Sequence, residues 1–261
     1  MEVVITRDAA TAAEMVAGVL ARVLQTRSAP VLGLATGSSP LGAYQLLIAA
    51  HQRGELSASH ASAVLLDEYV GLASDHPEAY RAFIRREFVD HIDLPISRLF
   101  SPDAGADDIQ DACRRYDRLL SELGGVDVQL LGIGADGHIG FNEPGSSLAS
   151  RTRLKTLTRA TREDNARFFD DNHEDVPRHV VTQGLGTVLE ARHLLLVACG
   201  ASKAAPIAQA VEGPVAAICP ASVLQLHPHA TVVVDEAAAG DLQLADYYRE
   251  SFEHKPAWQE L

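Results

Sequence analysis

Short apolar runs alternate along this chain with longer stretches in which apolar residues recur every three or four positions. That alternation is a switch between the strand period and the helix period. Residues 3–5 read as a short strand. Residues 8–27 read as a helix, because Thr11 and Glu14 have capping-box spacing and Met15, Val16, Val19, Leu20, Val23 and Leu24 share one face. A buried strand over 30–35 precedes a helix over 40–53 entered through Ser39 and Pro40. A strand follows at 63–66, then helices at 80–88 and 107–123, then a strand at 126–133. The C-terminal part predicts a short helix closing over 187–191, a strand at 193–198, a helix at 202–211 and a last strand at 231–234. Residues 151–178 break the pattern, with charges of both signs and few apolar positions, and are expected to lie over the body as a mobile flap.

The order of these elements argues for a single α/β domain over residues 1–261. Its expected architecture is a doubly wound, mainly parallel, Rossmann-like sheet with helices on both faces and a mobile lid. In such a sheet the strand C-termini share one edge, and ligands bind there. Four polar tips follow the predicted strands: Thr36-Gly37-Ser38-Ser39, Asp67-Glu68-Tyr69, Asp136 to Glu143, and Gly200-Ala201-Ser202-Lys203.

Composition narrows the function classes. Hydrophobic residues make up 47% and charged residues 22%, enough for an ordinary core, while aromatics are only 5%. The formal charge of −13 and the lack of a basic run exclude a nucleic-acid binder. They also predict no long-range attraction for an anion, so a phosphate must be caught locally. Cys113, Cys199 and Cys219 are odd in number and lack zinc spacing, which fits a reducing, cytoplasmic compartment. The N-terminus has no signal-peptide pattern, and no run of apolar residues is long enough to span a membrane.

Chemistry concentrates at the tips. Thr36, Gly37, Ser38 and Ser39 form a small-residue loop before a Pro-started helix, which suits an anion socket; a plain turn capped by Ser39 is the bland alternative. Neither a dinucleotide fingerprint nor a P-loop is present. Lys203 repeats the arrangement after another strand, where a cation near a helix N-terminus is unfavourable unless it faces an anion or is simply solvated. Asp67 and Glu68 follow a buried strand and point to opposite faces if it continues, so one of them at most serves a given pocket. Asp136, His138 and Glu143 lie within eight residues of each other on a Gly-rich loop, where carboxylates can orient an imidazole for proton transfer. One histidine and two acids is weak metal spacing, and no metal is expected. Lys155, Arg162 and Arg167 are solvated, or one of them closes over a phosphate.

These residues resemble a known family. Leu65-Leu66-Asp67-Glu68-Tyr69-Val70-Gly71-Leu72 and Gly134-Ala135-Asp136-Gly137-His138-Ile139-Gly140-Phe141-Asn142-Glu143-Pro144 are similar to segments of the glucosamine-6-phosphate deaminases. The likeness continues through Ser147 to Arg153, Arg167 to Asp170, Gly200 to Ala204 and Leu224 to Pro228. It implies conversion of D-glucosamine 6-phosphate to D-fructose 6-phosphate and ammonia, with no cofactor and no metal. By the resemblance, Asp67 is the base that moves a proton from C2 to C1, and His138 opens the sugar ring with help from Asp136 and Glu143. Thr36, Gly37, Ser38, Ser39, Arg167 and Lys203 match the phosphate pocket, and residues 153–182 match the lid. Some members of the family are hexamers activated by N-acetylglucosamine 6-phosphate between subunits. Ser146, Arg153, Lys155 and Thr156 match that effector site, while the C-terminal tyrosine of the site aligns only with Arg249 or, after a one-residue shift, Tyr248. Homo-oligomerisation and the effector are therefore expectations of the resemblance.

Two rival readings stand beside it. A 6-phosphogluconolactonase has a similar fold and its own Asp-Gly-His segment, but is not expected to carry Asp67 to Leu72 or Asn142-Glu143-Pro144. A sugar-phosphate-sensing domain of a transcription regulator needs a DNA-binding module. The residues before the phosphate loop read instead as strand and helix of the domain.

Overall fold

A computed structural model describes residues 1–73, 75–256, 258, 259 and 261. Strands β1 (Glu2–Thr6), β2 (Val31–Leu34), β3 (Ser62–Leu65), β5 (Leu99–Phe100), β6 (Val128–Leu131), β9 (Leu194–Ala198) and β10 (Ala230–Asp235) form one sheet in the order β1-β10-β9-β6-β2-β3-β5. Every pairing in it is parallel. Val, Leu and Ala fill these strands, and all residues of β2, β6 and β9 are buried. Both sheet faces are thus covered, as a parallel sheet requires. The helices doing so include α1 (Ala9–Thr26), α2 (Leu41–Gln52), α4 (Ile109–Glu122), α7 (Ala204–Val211) and α8 (Ala245–Glu253).

Helix α1 spans the expected 8–27 within a residue at each end, with Asp8 and not Thr11 as its cap. Asp8 is the N-cap, its carboxylate accepting from the Thr11 N–H at 2.8 Å. A carboxylate satisfies this otherwise unpaired amide better than a box further in, which would leave the first turn unformed.

From β2 the chain runs outward through α2 to β3 on one side, whereas β6 lies on the other side of β2. The order reverses between β2 and β6, and the loops after these two strands open a crevice at their C-terminal ends. Two tyrosines fasten the strand ends there. The Tyr44 hydroxyl of α2 accepts from the Ala35 N–H at 3.1 Å and donates to the Ala35 carbonyl at 2.8 Å. The Tyr116 hydroxyl of α4 treats Leu65 identically, at 3.1 and 2.7 Å. Each occupies both hydrogen-bonding groups of a residue that a parallel ladder is about to leave unpaired.

The charged segment, expected to lie over the body and not as core, carries a small core of its own. β4 (Asp67–Tyr69) and β8 (His179–Thr182) pair antiparallel, as do β8 and β7 (Arg153–Thr156), giving a second sheet in the order β4-β8-β7. Leu157, Phe169, Val176 and Val180 bury against Tyr69 and Phe141 in a small separate core. Its apolar residues stand singly among charges, so no period shows in the sequence. The tip Asp67-Glu68-Tyr69 is accordingly a strand of this sheet and not a loop.

Candidate active site

A cleft of about 500 Å³ opens at the C-terminal ends of β2 and β6, within the size range of small-molecule sites. Thr36, Gly37, Ser38, Ser39, Asp67, His138, Arg167 and Lys203 all line it, although they come from five separate stretches of chain.

The loop after β2 forms the first wall. Gly37 has φ of +87°, a left-handed conformation that suits glycine. The N-cap of α2 is Pro40 with no side-chain cap bond, so Ser39 does not cap the helix as a plain turn would require. The Ser38 and Ser39 hydroxyls make no hydrogen bond among the described residues and remain open to a ligand.

The loop after β9 forms the opposite wall. Gly200, at φ +91°, begins the single 3-10 turn Ala201–Lys203, and Lys203 is the N-cap of α7. The Lys203 ammonium donates to the Ile133 carbonyl at 2.7 Å, which holds it at the end of β6. Burial and the neighbouring Arg167 guanidinium push its pKa down. Two cations close enough to oppose each other, on a chain of net charge −13, mark a place that an anion would stabilise.

The loop after β6 presents His138. Its Nδ1–H donates to Asp136 Oδ1 at 2.6 Å, and the same oxygen accepts the His138 backbone N–H at 3.2 Å. A carboxylate only accepts, so Nε2 is the free nitrogen of the ring. The bond to His138 holds the Asp136 carboxyl below its ordinary range. Gly134 makes this placement possible, since a Cβ there would lie 2.1 Å from His138 Cε1.

Asp67 enters from β4. It is 6% exposed, and its carboxylate has no hydrogen-bond partner among the described residues. Burial first, and then the adjacent Glu68 charge, push its pKa up to about 8. Gly140 keeps the space in front of it clear, because a Cβ there would stand 3.3 Å from Asp67 Oδ2. Glu68 points the other way and does not line the cleft, as strand alternation predicts.

Glu143 is placed differently from His138's other acid. Its Oε1 accepts from the Thr158 hydroxyl at 2.9 Å, the Thr158 N–H at 3.3 Å and the Thr161 hydroxyl. Thr158 is the N-cap of α5 (Arg159–Asn165), so Glu143 fastens the start of that helix and makes no bond to His138. The four residues matched to an effector site stand outside the cleft. Arg153 Nη1 donates to Asn142 Oδ1 at 2.8 Å, Lys155 and Thr156 lie further along β7, and the buried Ser146 hydroxyl has no partner among the described residues.

Sequence reasoning missed the aromatic wall. Tyr69, Tyr80, Phe83, Phe141, Phe168 and Phe169 also line the cleft. Tyr80, first residue of α3 (Tyr80–Glu87), stacks parallel to Phe141 at 5.9 Å and tilts against Tyr69 at 4.9 Å. The scarcity of aromatics was the available signal, since these six come from 7 Phe and 6 Tyr in all. The three cysteines are free, and Cys199 lines the cleft beside Gly200. Among the described residues no cluster of His, Cys, Asp and Glu is arranged to hold a metal.

Residues 6–234 match the family described as glucosamine-6-phosphate isomerases/6-phosphogluconolactonase. The chain is 58% identical to the glucosamine-6-phosphate deaminase of Streptomyces avermitilis over 99% of both chains. It is 53% identical to that of Mycolicibacterium smegmatis, again over 99% of both. A solved structure of a monomeric glucosamine-6-phosphate deaminase superposes with a TM-score of 0.90 at 42% identity, covering 92% of this chain and all 100% of that one. The 6-phosphogluconolactonase of Trypanosoma brucei superposes with a TM-score of 0.72 over 92% of this chain and 98% of its own, at 16% identity, a likeness of fold alone.

Proposed function

The chain belongs to the family of glucosamine-6-phosphate isomerases and 6-phosphogluconolactonases, and from that premise we propose how its cleft performs the deaminase reaction. The substrate is glucosamine 6-phosphate, and the products are fructose 6-phosphate and ammonia. The phosphate sits between the Thr36–Ser39 loop and the cations Lys203 and Arg167, which directs the sugar toward His138 and Asp67.

His138 handles the ring. Its free Nε2 takes the proton of the C1 hydroxyl and returns one to the ring oxygen as the C1–O5 bond breaks, leaving the open-chain aldehyde. Asp136 keeps the imidazole in the tautomer that this needs. Asp67 then removes the C2 proton while the substrate ammonium gives one to O1, forming an enolamine, and Asp67 delivers its proton to C1. The resulting C2 imine adds water and loses ammonia. Residues 153–182 act as a lid that keeps bulk water from the enolamine, with Glu143 as the latch between the His138 loop and the lid helix α5.

The observation that carries this reading is Asp67, a buried carboxylate without a hydrogen-bond partner among the described residues, facing the same cleft as the His138–Asp136 pair. A buried acid kept free of partners loses stability by staying there, and proton abstraction from carbon is a use for it. Purified protein is expected to release ammonia from glucosamine 6-phosphate without added metal. Hydrolysis of 6-phosphogluconolactone with no ammonia released would place the chain in the other branch of the family.

Ser146, Arg153, Lys155 and Thr156 are the proposed site for N-acetylglucosamine 6-phosphate at an interface of a homo-oligomer, in a cytoplasmic enzyme. Arg153 and the unpartnered Ser146 hydroxyl support it. Ammonia release with and without that ligand, together with a solution mass, tests both parts.

A further inference from the structure

Glu68 lies outside the cleft and has no part in the reaction as drawn above. Its carboxylate is nonetheless 8% exposed and fully committed. Oε1 accepts the N–H groups of Tyr69 and Tyr80, and Oε2 accepts that of Arg81, each at 2.9 Å. Tyr80 and Arg81 open helix α3, whose own N-cap, Ala79, offers no side-chain bond. An acid from β4 therefore caps α3 from outside the helix. Anchored this way, α3 holds Tyr80 against Phe141 and Tyr69 in the cleft wall.

We propose that Glu68 is a positioning residue for the Asp67 base, tying β4 to the first turn of α3 so that the two walls of the cleft move as one and a second carboxylate is held beside Asp67. The proposal rests on Asp67 being the carbon base. Among the described residues, Tyr69, Tyr80, Tyr116 and Arg81 are the titratable groups nearest the pair, and Glu78, His138, Asp164, Arg167 and Lys203 line the same cleft as Asp67. The tyrosines are buried and neutral, and the Arg81 guanidinium is spent on the carbonyls of Leu99 and Ile96. Glu68 is thus the charge that most directly keeps Asp67 basic.

The test compares kcat/KM against pH for the parent, Glu68→Gln, and Glu68→Gln combined with Ala79→Ser. The serine supplies α3 with a neutral cap of its own and so restores the helix without restoring the charge. Substrate ionisation is common to all three profiles and drops out of the comparison. In both variants the acid limb is expected to move down by about one pH unit, with KM raised in Glu68→Gln. Recovery of the parental limb and KM in the double variant would show that Glu68 is a helix cap and nothing more. An unmoved limb in Glu68→Gln would also overturn the proposal. Asp67→Asn forms a separate arm: if it still exchanges the C2 proton, the base assignment fails whatever Glu68 does.

Discussion

The Nδ1–H of His138 points at Oδ1 of Asp136, 2.6 Å away, and this one bond decides which ring nitrogen faces the cleft. With Nδ1 protonated, Nε2 is left to exchange protons with the sugar. Asp136→Asn can present an N–H to Nδ1 and so favours the opposite tautomer. Its kcat/KM on the cyclic substrate is expected to fall about 100-fold or more. An already open-chain substrate should lose much less. Equal losses on both substrates would remove His138 and Asp136 from ring opening.

Asp67 makes stability depend on pH in a direction opposite to most paired carboxylates. Its folded pKa of about 8 lies far above the ordinary carboxylate range, so the native protein keeps a proton that the unfolded chain has already released. The protein then loses stability as pH rises from about 4 to about 8, and the loss levels off above that. Asp67→Asn cannot ionise. It is expected to lie closest to the parent below about pH 4 and to exceed it by several kcal/mol at pH 9 in urea unfolding. A constant difference across that span would mean that the Asp67 carboxylate is not desolvated.

In the proposed reaction Lys203 and Arg167 serve the phosphate, not the chemistry. Lys203→Met keeps the length of the side chain and removes the ammonium. KM for the sugar phosphate is expected to rise about 10- to 100-fold, with kcat changed much less, consistent with losing a charged hydrogen bond of about 1.5–3 kcal/mol. Raising the salt concentration should weaken the parent's binding more than the variant's. A collapse of kcat with KM unchanged would point to a chemical role for the lysine.

Tyr44 and Tyr116 are strand-end clamps, and their removal should be felt as stability first. Tyr44→Phe takes the partner from the N–H and carbonyl of Ala35 in a buried place, and Tyr116→Phe takes it from the N–H of Leu65, whose carbonyl keeps the Gln183 amide at 3.0 Å. Each is expected to cost about 1–3 kcal/mol in urea unfolding. Tyr44→Phe should then raise KM through the phosphate loop that Ala35 precedes. Tyr116→Phe should lower kcat through β4. The reverse assignment would separate the clamps from the loops they adjoin.

How much of this was legible in the chain depended on how apolar residues are spaced. The β9 and β10 strands fall within a residue of the expected 193–198 and 231–234 because they are uninterrupted aliphatic runs buried on both faces. β7 escaped notice since only alternate residues of Arg153–Thr156 are half-buried, and two of the four are basic. Asp67, His138 and Lys203 could be read as one site because each ends or follows a strand of the same parallel sheet. Glu143's attachment to Thr158 and Thr161 could not, as it depends on the fold of a segment whose local pattern is polar. The aromatic wall brings together residues more than eighty positions apart, and only tertiary structure does that.

The central claim divides the work between two strands: His138 on the loop after β6 opens the ring, and Asp67 on β4 moves the carbon-bound proton. The most direct measurement is deuterium incorporation from heavy water at C1 of the fructose 6-phosphate formed, for the parent and for Asp67→Asn, alongside binding of a sugar phosphate. The account predicts that the variant binds about as tightly as the parent and incorporates no deuterium through enolamine formation. Unchanged incorporation by Asp67→Asn, with binding intact, would contradict it.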